Sequence, residues 1–65
     1  MGTIKVEKGG VTYSAEYVLN ENVVTVFGDG GQESTQLGGM SEEGVARMLL
    51  NNLIRKGHIE PDMAP

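Results

Sequence analysis

Sixty-five residues suffice for one small domain and leave no room for a second. With no cysteine there is no disulfide to staple it, and a net charge of −4 lacks the clustered Lys and Arg that displace counterions from nucleic acid. No apolar run approaches the roughly 20 residues of a membrane span, and no positively charged apolar leader opens the chain, so a soluble cytoplasmic protein with no membrane partner is expected.

From Thr3 to Lys8, Ile4 and Val6 alternate with Lys5 and Glu7, the pattern of a half-buried strand. Gly9-Gly10 closes a two-residue hairpin, because both central residues of a type I′ turn need positive φ. That register sets Val6 opposite Tyr13 and Ile4 opposite Ala15, and puts Val11, Tyr13, Ala15, Tyr17 and Leu19 on one inner face. The next reversal lies in Asn20-Glu21-Asn22. A turn on Asn20-Glu21 or on Glu21-Asn22 keeps Val24 and Val26 on that same face, whereas a three-residue loop would substitute Thr25. Both even registers fit the pattern. Gly28-Asp29-Gly30-Gly31 is a third turn centred on Asp29-Gly30, and a polar edge strand from Gln32 to Leu37 follows, with Glu33, Thr35 and Leu37 inward.

Ser41 to Gly57 carries start and stop signals for a helix. Ser41 is a good N-cap, Glu42 and Glu43 sit at the positive end of the helix dipole, and Gly44 stands where a full capping box would need Glu or Gln. Met40 and Val45 have the spacing of a hydrophobic staple. Arg55 and Lys56 fill the last turn, Gly57 is able to turn left-handed, and Pro61 blocks any resumption. Val45, Ala46, Leu49, Leu50, Leu53 and Ile54 fall on one half of the helix, with Met48 just past its border and Arg47, Asn51, Asn52 and Arg55 opposite. So wide a stripe suits a helix lying on a sheet.

The expected fold is therefore α+β: a three- to four-stranded antiparallel β-meander followed by one C-terminal α-helix packed on one sheet face. Residues 1–57 form the single domain, and 58–65, with two prolines and two acids, a loose C-terminal tail in which Ile59 is able to fold back onto Leu53. The outer sheet face then holds Thr12, Ser14, Glu16, Val18, Val23, Thr25, Phe27, Ser34 and Gln36. Val18, Val23 and Phe27 are its apolar members and the candidate interface. A solvated sheet face and a self-complementary dimer surface both fit them. Small chains without metals or disulfides commonly oligomerise, which gives the dimer its weight.

Candidate chemistry is sparse. His58, the only histidine, has no Cys and no evident Ser partner, and its place past the helix end points to capping by its imidazole. Asp29 with Glu33, and Glu60 with Asp62, lack the spaced oxygen ligands of a calcium loop. Gly38-Gly39-Met40-Ser41 leads from a strand into a helix as a phosphate cradle would, but it lacks the P-loop Lys, and Glu42 and Glu43 repel anions. Tyr13 and Tyr17 read as core residues, not as a base-stacking platform. No catalytic, cofactor-binding or metal-binding residue is assigned, and no cofactor is called for.

Tyr13-Ser-Ala-Glu-Tyr17, Val23-Val-Thr-Val26, Ser34-Thr-Gln-Leu-Gly-Gly39 and Glu43-Gly-Val-Ala-Arg-Met-Leu-Leu50, taken together, resemble small uncharacterised bacterial proteins. In those proteins a strand meander ends in a Thr-Gln-Leu-Gly-Gly stretch and leads into one helix. The resemblance covers about residues 11 to 56 and rests on structural motifs. It implies the same fold, and it transfers neither an activity nor a site residue.

The leading functional expectation is a small non-enzymatic protein that forms a homodimer through its open sheet face or edge. The alternative is an accessory module that binds another protein through the same surface. A weaker alternative is nucleic-acid binding through Arg47, Arg55 and Lys56, which the acidic balance disfavours.

Overall fold

The alternating segments pair in sequence order. The computed structural model describes residues 2–62, which form a four-stranded antiparallel sheet in the order β1-β2-β3-β4, followed by one helix. Strand β1 (Gly2–Lys8) turns at Gly9-Gly10, with φ of 59° and 80°, into β2 (Val11–Asn20). Val6 stands opposite Tyr13 and Ile4 opposite Ala15, as the alternation and a two-residue turn require. Gly2 faces Tyr17, and a Cβ on Gly2 would lie 3.0 Å from the Tyr17 ring, so the missing side chain leaves room for the aromatic.

The second turn is on Glu21-Asn22, because Asn20 pairs with Val23 at the start of β3 (Val23–Phe27). Both turn residues have positive φ, 52° and 66°. The position suits Asn22, but Glu21 bears the cost of left-handed backbone with a long side chain. The Leu37 N–H donates to the Asn22 carbonyl (2.7 Å), which ties this turn to the end of β4 (Gln32–Gln36). The third turn runs Gly28 to Gly31, and the Gly28 N–H donates to the Gly31 carbonyl (2.7 Å). Glu33 pairs with Val26 and Thr35 with Val24, so the inner side of this edge strand is as the sequence predicts.

Helix α1 (Glu42–Lys56) begins where its caps indicate. The Ser41 Oγ accepts from the Gly44 N–H at 3.0 Å. At the other end Gly57 is left-handed (φ 77°), with its N–H on the Ile54 carbonyl and the His58 N–H on the Leu53 carbonyl, the double bond of a Schellman cap. The staple is weaker than its spacing suggests: Met40 is 52% exposed, and its Cε lies beside Gly44. The helix rests on all four strands. Val45, Ala46, Leu49, Leu50 and Leu53 are buried against Ile4, Ala15, Tyr17, Val24 and Val26, with Ile54, Val6, Tyr13 and Leu37 packed around them.

Three expectations need correction. Val11 and Leu19 belong to the inner face by parity but are each 38% exposed. Val11 has β1 beside it but no β3, which ends opposite Glu16, and Leu19 has β3 beside it but, among the described residues, no β1, which reaches only Tyr17. Each therefore lacks the neighbouring strand that would cover one side. Asn51, expected in solvent, is half-buried and leaves its Oδ1 buried without a hydrogen-bond partner among the described residues.

The third correction concerns the tail. Residues 58–62 are tied down rather than loose, while Ile59 folds back into the core with Leu53 as expected, at 8% exposed. The Gly30 N–H donates to the His58 carbonyl (2.8 Å), and the Asp29 carboxylate accepts from the Glu60 N–H (2.9 Å). The Asp62 N–H then donates to the Thr12 carbonyl (2.7 Å), while the Ser14 hydroxyl donates to the Asp62 carboxylate (2.8 Å). Strand β3 ends at Phe27 opposite Glu16, so the first half of β2 has a bare edge there, and Asp62 bonds to it. Residues 63–65 of the expected tail lie outside the described residues.

Candidate interaction surface

The helix covers one face of the sheet, so the residues of opposite parity face away from it. On β2 and β3 the outward pairs are Glu16 with Phe27, Val18 with Thr25, and Asn20 with Val23. Continuing onto β4, Phe27 meets Gln32, Thr25 meets Ser34 and Val23 meets Gln36. Val18, Val23 and Phe27 therefore ring Thr25, with Val18 diagonal to the other two at about 7–8 Å. Val18 and Val23 are half-buried by their neighbours, and Phe27 is 41% exposed. Hydroxyl and amide side chains border the group on the β4 side. On the other side β1 reaches Tyr17 at Gly2, so among the described residues Val18 has no β1 neighbour.

Among the described residues, both outer edges of the sheet carry unpaired backbone groups. The Gly9-Gly10 turn is flanked by the pair Lys8–Val11, which must be hydrogen-bonded in a two-residue hairpin. Alternation then points the N–H and C=O groups of Ile4, Val6 and Lys8 at β2 and those of Thr3, Lys5 and Glu7 at the open side. The same count for β4 leaves Gln32, Ser34 and Gln36 facing outward from the sheet.

The residues weighed for chemistry are accounted for structurally. Asp29 holds the tail through the Glu60 N–H. Glu33 pairs with the Lys56 ammonium (2.5 Å), joining β4 to the last turn of the helix. His58 caps the helix through its backbone N–H, not through its imidazole as expected; the ring lies against Gly31, where a Cβ would be 2.7 Å from Nδ1. Tyr17 is buried and Tyr13 half-buried on the helix side, away from the outer face. Among the described residues there is no cavity and no gathering of three His, Asp or Glu side chains around a point.

Arg47, Arg55 and Lys56 do not form one patch. At about 100° per residue Arg55 stands roughly 80° around the helix from Arg47, and Lys56 roughly 180°. Lys56 is engaged by Glu33, and Arg55 donates to the Asn52 Oδ1 (2.8 Å).

The tail interactions were the part of this surface that sequence reasoning missed. Gly28 and Gly31 are where a signal existed: a Cβ on Gly28 would fall 2.6 Å from the His58 carbonyl oxygen, so this glycine is required by close backbone approach. No helix of the described residues is long and apolar enough to cross a membrane. Compared with protein-family models, curated proteins and solved structures, the chain matches none of them.

Proposed function

We propose that this chain is a small non-enzymatic protein that self-associates through its sheet, by the outer face or by an open edge, in a cytoplasmic setting. One observation carries the reading: a single helix roofs one face, while the other keeps Phe27 41% exposed beside Val18 and Val23. The size of that apolar group sets a limit. An aromatic side chain has about 150–250 Å² to bury, so Phe27 offers roughly 60–100 Å² of it. The two half-buried valines add less each. A standard interface covers about 800 Å² per partner, so the surrounding Thr25, Ser34 and Gln36 must take part, or main-chain bonding at an edge must supply the rest.

Light scattering and sedimentation over a concentration series test the proposal. The expected result is a concentration-dependent dimer. Phe27→Lys weakens it if the outer face is the contact and leaves it intact if an edge is. A wild-type monomer at high micromolar concentration would remove the proposal.

A further inference from the structure

We infer that a second copy of this chain pairs with the open edge of β1, antiparallel, about a two-fold axis at Val6. This deepens the self-association proposed above and rests on it. It commits to the edge rather than the outer face, and to one register.

Three strand edges are candidates, and two are blunted. The bare half of β2 is partly taken by Asp62, whose N–H bonds the Thr12 carbonyl and whose carboxylate accepts from the Ser14 hydroxyl. Strand β4 has five residues and points a charged side chain, Glu33, toward the helix side, where Lys56 holds it. Short length and inward charge are devices that discourage pairing at an edge. Strand β1 has seven residues, and its open groups at Thr3, Lys5 and Glu7 have no partner in the described chain. Val6, on the helix side of this edge, is only half-buried and packs at the margin of the core.

The register follows from charge. Directly opposed residues in an antiparallel pair share a face, so a helix-facing residue of β1 must meet a helix-facing residue of its copy. An axis at Lys5 sets two Lys5 side chains against each other, and an axis at Glu7 does the same with two carboxylates. Like charges directly opposed destabilise a pair. An axis at Ile4 sets Lys5 against Thr3. An axis at Val6 sets Lys5 against Glu7 of the second copy, twice by symmetry, and brings the two Val6 side chains together. The Lys5–Glu7 pairs then exchange the open N–H and C=O groups, and the two four-stranded sheets join into one.

Charge exchange and cross-linking test this on the full chain. Lys5→Glu and Glu7→Lys are each expected to weaken dimerisation roughly tenfold or more, and the double variant Lys5→Glu with Glu7→Lys to restore it. Both side chains are exposed, so the monomer should fold in every case. The chain has no cysteine of its own. Val6→Cys should give a disulfide dimer under a mild thiol oxidant, because the axis places the two Cα atoms about 4.5 Å apart in a close pair. Lys5→Cys, two positions off its own copy, should not. A dimer that survives both single charge variants, or that links through Lys5→Cys and not Val6→Cys, overturns the β1 pairing and leaves self-association standing. A wild-type monomer at high micromolar concentration removes both.

Discussion

Replacing Gly28 with alanine should loosen the tail and destabilise the whole domain, although the residue lies in a surface turn. The added Cβ would fall 2.6 Å from the His58 carbonyl oxygen and 3.0 Å from that of Gly31. Both are backbone atoms, so neither moves without displacing the chain. The same His58 oxygen accepts the Gly30 N–H at 2.8 Å, and the next residue is the buried Ile59. Overpacking of this kind costs about 1–3 kcal/mol, and losing the Gly30 and Glu60 bonds would cost about 1 kcal/mol each. Strain and bond loss are alternatives rather than a sum, since the tail detaches once strain exceeds what holds it. A loss of about 2 kcal/mol is the expectation, which for a domain of this size lowers Tm by roughly 8–16 °C. Gly30→Ala is the control. Its Cβ would meet His58 Cα at an ordinary 3.8 Å, so its effect should stay within about 0.5 kcal/mol. Urea unfolding followed by far-UV circular dichroism measures both, and amide exchange at Glu60 and Asp62 reports the tail directly. Equal stabilities for the two variants, with both amides still protected, would refute the account of the turn as a socket for the tail.

Asp29→Ala removes the acceptor for the Glu60 N–H and should cost about 1 kcal/mol, with faster exchange at that amide. Glu21→Asn puts a residue that tolerates left-handed backbone where φ is 52°, and should raise Tm by a few degrees, a gain of up to about 1 kcal/mol in thermal unfolding. Leu53→Ala empties a site that is 0% exposed beneath the helix. At about 3–5 kcal/mol, against the roughly 3–10 kcal/mol that a 65-residue domain holds, it should lower the Tm followed by circular dichroism by roughly 12–40 °C.

Local rules account for most of the fold. Two glycines at Gly9-Gly10 admit only a tight hairpin between alternating strands, and parity then assigns Ile4, Ala15, Tyr17, Val24 and Val26 to one face without reference to anything distant. Ser41 and Gly57 bound the helix through groups within a turn of themselves. The outward set, including Val18, Val23 and Phe27, follows by the same parity. These features could be read from the chain because each depends on neighbours a few residues away.

The remainder depends on residues far apart in sequence. Glu21-Asn22 prevails over Asn20-Glu21 in a structure where Leu37, fifteen positions beyond Asn22, donates to the Asn22 carbonyl. Val11 and Leu19 have the right parity for the core, but each lies where a neighbouring strand has ended, β3 beside Val11 and β1 beside Leu19. A segment with two prolines and two acids reads as loose by composition, yet Asp29, Gly30 and Thr12 hold residues 58–62 in place. Alternation and caps, acting within a few residues, settled strands, faces and helix ends. Which turn closed, which inward side chains lost water and where the tail lay down required distant segments to meet, and no local preference encodes a meeting.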